Sequence, residues 1–155
     1  MTEVLRTYSE EQTAAAARRL AERLPPGALV LLVGDLGAGK TAFVRGLAGG
    51  LGIDPDEVSS PTFTLIQEYR GARVLRHVDL YRLQGAEVDD LGLDELTEDG
   101  SVVAIEWAER LGAAPRGAIQ VTIVDLGGDV RELRIEQGAQ RAADSGSRGP
   151  LAATG

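Results

Sequence analysis

The segment Gly34-Asp35-Leu36-Gly37-Ala38-Gly39-Lys40-Thr41 matches the phosphate-binding pattern G-x-x-x-x-G-K-[ST]. It directly follows the apolar run Ala28 to Val33, and a stretch of helical spacing, Lys40 to about Leu51, follows it. An unbroken apolar run bounded by turn signals is how a strand buried on both faces reads. The pattern requires that strand before it and that helix after it, so it commits the chain to an α/β fold. Its lysine is the only one among 16 basic residues, and all the others are arginines. Arginine presents a flat, rigid fork, whereas lysine is a compact point charge on a flexible stem. A loop wrapped around a β/γ-phosphate has room for the second and not the first. The exception to the arginine preference falls where the chemistry forbids the substitution.

Each part of the segment has a physical task. Gly34, Gly37 and Gly39 let the backbone turn and approach a phosphate without a clashing Cβ. Successive N–H groups form an anion nest, and the helix starting near Lys40 adds its positive dipole end. Lys40 is expected to reach the β- and γ-phosphates, and Thr41 to offer its hydroxyl to Mg²⁺. The expected nucleotide-binding set is Gly37, Ala38, Gly39, Lys40, Thr41 and Ala42, with Asp79 and Glu109.

Mg²⁺ needs a second protein anchor, and two acids end apolar strand candidates. Asp79 ends Val74 to Val78, and Glu106 ends Val102 to Ile105. Strand C-termini in such sheets face the ligand crevice. Glu106 is the candidate for the metal or its water shell and for orienting an attacking water. Asp79 is the candidate for the outer shell of phosphate and metal. Glu109 lies three residues further on and joins them if a helix starts at Trp107. The plain reading of each acid is a cap on the following turn. Trp107, the only tryptophan, and His77, the only histidine, read first as core residues, the histidine with a hydrogen-bond partner.

Around this centre, Ser9-Glu10-Glu11-Gln12 has the form of a capping box opening an alanine-rich helix to about Leu24, stopped by Pro25-Pro26-Gly27. Asp54-Pro55-Asp56 is a turn. Thr62 to Tyr69 and Arg73 to Asp79 read as strands joined by three residues, hence an antiparallel hairpin. Leu80 to about Glu98 reads as an acidic loop with short helical turns, and Ser101 to Glu106 as a second buried strand. Ala118 to Asp125 and Val130 to Glu136 flank Leu126-Gly127-Gly128-Asp129 as a second hairpin. The expectation is one α/β P-loop NTPase domain over residues 1–136, its mixed sheet flanked by helices and combining a parallel core with antiparallel hairpins. Residues 137–155 lack apolar anchors and read as a disordered tail.

Composition removes whole classes. With no cysteine, disulfides, zinc thiolates and cysteine nucleophiles are excluded. A net charge of −8 and no basic stripe argue against a protein that grips nucleic acid unaided. The N-terminus has no secretion signal and no run is long enough to span a bilayer, so a cytoplasmic protein is expected. The chain contains no asparagine, so the Asn-Lys-x-Asp guanine motif of GTPases is absent. Helicases and transporters need far larger chains.

Five segments in order carry a resemblance. They are Gly-Asp-Leu-Gly-Ala-Gly-Lys-Thr (34–41), Ser-Pro-Thr-Phe-Thr-Leu (60–65), His-Val-Asp-Leu-Tyr-Arg (77–82), Leu-Gly-Leu-Asp-Glu (91–95) and Ile-Glu-Trp-Ala-Glu (105–109). Over about residues 9–136 the chain resembles the TsaE (YjeE) family, bacterial P-loop ATPases of tRNA threonylcarbamoyladenosine synthesis. Two positions depart from the family pattern: Ala108 stands where proline is common, and Ala42 where a second hydroxyl is frequent. The resemblance implies ATP and Mg²⁺ as cofactors and slow hydrolysis by the protein alone. It implies docking on a TsaB–TsaD complex that modifies adenosine 37 of tRNAs reading ANN codons, with tRNA met only through the partners. Thr62 and Thr64 then become candidates for sensing the γ-phosphate or the partner, against a plain strand start. Two further readings stand beside this one: an assembly factor for which ATP binding suffices, and a stand-alone small-molecule kinase.

Overall fold

The computed structural model describes residues 2–34, 39–59, 66–81, 83, 92–111, 115 and 117–137. In chain order the elements are β1 (Thr2–Thr7), α1 (Glu10–Ala21), β2 (Leu29–Gly34), α2 (Lys40–Gly50), β3 (Ile66–Arg70), β4 (Val74–Asp79), α3 (Leu93–Leu96), β5 (Val102–Glu106), β6 (Ile119–Asp125) and β7 (Arg131–Gln137). The strands form one sheet in the order β1-β7-β6-β2-β5-β4-β3. β2 is parallel to both of its neighbours, β5 and β6, and β4 is parallel to β5. The pairs β3–β4, β6–β7 and β1–β7 are antiparallel. This is the mixed sheet that two hairpins around a parallel core require.

Strand alternation divides the core between the two faces. On one face Val30, Leu32, Leu75, Val102, Ala104, Val121 and Leu133 pack under α1 and α2. On the other, Leu31, Val78, Val103 and Ile105 are covered by Leu93 and Leu96 of α3 together with Leu83, Trp107 and Leu111. All five residues of β5 are buried, as its unbroken apolar reading anticipates. The two main helices approach closely. A Cβ on Gly46 would stand 2.2 Å from the carbonyl oxygen of Ala14, so only glycine fits this crossing.

The ends of α1 follow local chemistry. The Gln12 N–H donates to Ser9 Oγ at 3.1 Å, and the Tyr8 N–H donates to Gln12 Oε1 at 2.8 Å. The helix stops at Ala21, earlier than Leu24, because the Arg23 and Leu24 N–H groups turn to the carbonyls of Leu20 and Ala21 ahead of the prolines. β1 has no counterpart in the sequence reading. Among the described residues it pairs only with β7, and it is tied to α1 by a 2.7 Å hydrogen bond between the hydroxyls of Thr7 and Thr13.

On the β3–β4 side, Arg76 pins the hairpin to the segment after α3. It donates to both carboxylate oxygens of Asp99 at 3.0 and 2.9 Å, to the Leu96 carbonyl at 2.6 Å, to Ser101 Oγ at 3.1 Å and to Glu68 at 3.1 Å. The Arg76 hydrogen bond, reinforced by Ser101, holds the Asp99 carboxyl well below the usual carboxylate range, and Asp99 in turn raises Arg76. The strand expected from Thr62 is described from Ile66; residues 62–65 lie outside the described residues, as do 138–155, while β7 runs to Gln137. Among the described residues no helix is long and apolar enough to cross a membrane.

Candidate functional site

The C-terminal ends of β2, β5 and β4 lie side by side, and the candidate chemistry gathers there. Leu32 of β2 is level with Glu106 of β5, and Glu106 is level with Asp79 of β4. Neighbours in a parallel register share a face, and so do residues two apart on one strand. His77, Asp79 and Glu106 therefore all stand on the α2 side of the sheet. The opposite strand ends carry a groove lined by Pro25, Pro26, Gly27, Gly117, Ile119 and Gln137, with no charged side chain among the described residues.

α2 begins at the cradle. Gly39 is its cap residue with φ of 102°, a left-handed backbone that a side-chain-bearing residue rarely adopts. It brings no capping side chain, and among the described residues no side chain caps the first N–H groups of α2. Lys40 is buried, donates from Nζ to the Gly34 carbonyl at 3.1 Å, and lies 4.6 Å from the centroid of the Trp107 ring. A cation over a tryptophan face gains about 0.5–2 kcal/mol, more as water is excluded. Thr41 and Ala42 follow in the first turn, half-buried.

Glu106 is buried, and His77 Nε2 lies 2.5 Å from its Oε2. The expectation that His77 is a hydrogen-bonded core residue holds, and its partner is the site carboxylate itself. Asp79 is half-buried and accepts the Tyr81 N–H at 2.9 Å on Oδ1, which caps the turn leaving β4.

Trp107 serves both the core and the site. It packs on the Leu31 and Ile105 cluster and against Tyr81, with ring centroids 4.9 Å apart. The Arg110 guanidinium lies 5.7 Å from the Trp107 ring and 5.8 Å from the Tyr81 ring. Trp107 has φ of 60°, the left-handed region, and among the described residues no other non-glycine does. That backbone prevents an α-helix from starting at Trp107; a single 3₁₀ turn, Ala108–Arg110, follows. The helix that was to turn Glu109 toward the crevice is thus absent, and Glu109 is exposed on this turn.

Gly37, Ala38, Thr62 and Thr64 lie outside the described residues. The sequence reading gave no role to Tyr81 and Arg110, which complete the aromatic cluster, although Tyr81 sits in the recognised 77–82 segment. It also passed over Arg131, whose Nε lies 3.8 Å from where a Cβ on Gly39 would be, and whose side chain is held by Asp125 at 3.1 Å. No spacing in the sequence signals that proximity, which follows from β6 lying beside β2.

The donor set fits a hard cation. Thr41, Asp79 and Glu106 offer only oxygen, the ligand type Mg²⁺ takes. Among the described residues no three His, Cys, Asp or Glu side chains converge. An ion here would draw most of its ligands from phosphate and water, the usual arrangement for Mg²⁺.

Fold and site together define an α/β protein in which the central strand β2 is joined by a glycine-rich segment of sequence to α2, with carboxylates on the adjoining strand ends. The family model described as threonylcarbamoyl adenosine biosynthesis protein TsaE matches residues 7–133. The chain belongs to this family. It is 45% identical over 130 residues to the tRNA threonylcarbamoyladenosine biosynthesis protein TsaE of Bacillus subtilis, covering 83% of this chain and 81% of the relative. The protein of the same name from Treponema pallidum is 40% identical, with 82% and 95% covered. That of Streptomyces coelicolor is 41% identical, with 82% and 80% covered. The solved Bacillus subtilus YdiB crystal structure superposes with a TM-score of 0.72 at 36% identity, covering 89% of this chain and 87% of the other.

Proposed function

We propose that this protein binds ATP with Mg²⁺ at the 34–41 cradle and hydrolyses it slowly, in support of threonylcarbamoylation of adenosine 37 in tRNAs reading ANN codons. The observation that carries the reading is the level pairing of Asp79 with Glu106 beside the strand that leads into Lys40. Family membership supports the tRNA pathway, where the relatives are named as biosynthesis proteins. The partner would be a TsaB–TsaD complex, with tRNA reached through it. A chain of net charge −8 suits a helper that does not grip tRNA itself.

In this reading Lys40 neutralises charge on the β- and γ-phosphates, and the N–H groups at the start of α2 bind their oxygens. Thr41 and Glu106 would hold Mg²⁺, directly or through water, with Asp79 in the outer shell; the ion would offset charge on the transferring phosphoryl group. The Glu106 carboxylate accepts a hydrogen bond from a water and orients it toward the γ-phosphorus. The new P–O bond forms as the bond to the ADP oxygen breaks, and the proton lost by the water ends on the released phosphate or in solvent, giving phosphate and ADP.

Two variants test this. Lys40→Ala should stay folded and lose ATP binding by about 100-fold or more, read by calorimetric titration; ATP affinity equal to wild type in the folded variant refutes the cradle. Glu106→Gln should bind ATP, lose hydrolysis, and stall a reconstituted tRNA modification system after few turnovers. Sustained multiple-turnover modification by a hydrolysis-dead Glu106→Gln replaces this reading with the nucleotide-gated assembly factor. Phosphate transfer to a metabolite without partners replaces it with a kinase.

A further inference from the structure

We propose that His77 is a positioning residue for Glu106. Its imidazole fixes Oε2 of the carboxylate, leaving Oε1 as the oxygen that serves the attacking water or the metal's water shell. The inference rests on the role of Glu106 given above and assigns His77 a part that nothing in the motif chemistry of the cradle requires.

The geometry is specific. His77 is fully buried, and its Nε2 meets Glu106 Oε2 at 2.5 Å. Among the described residues this is the one hydrogen bond of the Glu106 side chain, and no arginine or lysine pairs with it. Burial of a carboxylate without a partner is strongly unfavourable, so the imidazole is what allows Glu106 to sit where it does. An ionised carboxylate only accepts, so the hydrogen lies on Nε2. The other ring nitrogen, Nδ1, is buried without a hydrogen-bond partner among the described residues.

That orphan separates a positioning role from a packing role. A polar pair kept for stability alone would be matched or bettered by two apolar side chains of the same volume, which leave no unsatisfied atom. The pair instead sits at the strand ends, on the α2 face, two residues from Asp79 on β4 and level with it on β5. Anchoring on two paired strands gives the rigidity that a functional carboxylate needs, and hydrogen-bonded partners of ligating carboxylates supply that elsewhere.

The test compares wild type with His77→Ala, His77→Leu, which fills the volume without a donor, and His77→Gln, which keeps an N–H donor. Three quantities are read: kcat and KM for ATP hydrolysis, the Mg²⁺ concentration that half-saturates Mg-dependent nucleotide binding, and the melting temperature. His77→Ala and His77→Leu are expected to lower kcat about 10–100-fold with KM for ATP unchanged. They should raise the half-saturating Mg²⁺ concentration by a similar factor. Nucleotide affinity without Mg²⁺ should stay at the wild-type value, and His77→Gln should recover most of the loss. The proposal is overturned if a folded His77→Leu keeps wild-type kcat and Mg²⁺ dependence, or if His77→Gln is as defective as His77→Leu. Should His77→Ala not fold, the Leu and Gln variants decide. Should wild type not hydrolyse ATP, the role of Glu106 in hydrolysis fails, and the Mg²⁺ shift in His77→Leu still decides the positioning role.

Discussion

Among the described residues Lys40 has two partners, the Gly34 carbonyl and the face of Trp107, and a phosphate is a stronger one than either. Charge-assisted bonds are shorter and roughly twice as strong as neutral ones. Nucleotide binding is therefore expected to draw the ammonium off the ring. Because Trp107 is the only tryptophan, its emission reports the event without a label. Titration with ATP should change wild-type emission saturably, and Lys40→Ala should shift the unliganded emission and remove the response. Unchanged emission at ATP concentrations that calorimetry shows to be saturating refutes the contact. At this scale the sequence offers candidate residues more readily than it shows which of them touch. Glu106 and His77 were each visible, but their pairing depends on the register of β4 against β5, which no local pattern encodes.

Arg76 and Asp99 show what joins elements rather than what builds the site. Asp99 titrates well below its ordinary value because Arg76 and Ser101 favour its charged form. A carboxyl lowered in this way adds stability above its unfolded value of about 3.9, and that stability is lost as pH falls further. Asp99→Asn should therefore melt slightly below wild type at neutral pH, and the two melting curves should converge in acid; a gap that persists undiminished at pH 2 contradicts the assignment. Elements differ in how openly the sequence announced them. β6 and β7 are marked by Gly127 and Gly128 between two alternating runs, and β5 by its unbroken apolar stretch. β1 was invisible for a physical reason: four of its six residues are exposed, so it has no buried stripe to show. It exists because β7 offers it an edge.

For the molecule as a whole, the mixed sheet was legible because short connections force antiparallel pairing and a βα cradle calls for parallel neighbours. Strand order was not, since two buried runs were available to flank β2 and only the tertiary packing assigns their sides. The order has a kinetic meaning. The hairpins close over a few residues, whereas Leu29 must find Val103, and Val30 must find Ile119, before the centre exists. Contacts so distant in sequence are slow to form, since a long loop loses entropy before pairing returns anything. Lys40, Asp79 and Glu106 straddle those distant ladders, so a half-assembled chain owns turns and hairpins but not the arrangement of these three residues. In refolding from denaturant, the ATP response of Trp107 is expected to return no earlier than the slowest phase of sheet formation followed by circular dichroism; a response that returns ahead of it contradicts this. If the cradle binds nucleotide as proposed, that competence waits on the pairing of β2 with the distant strands β5 and β6.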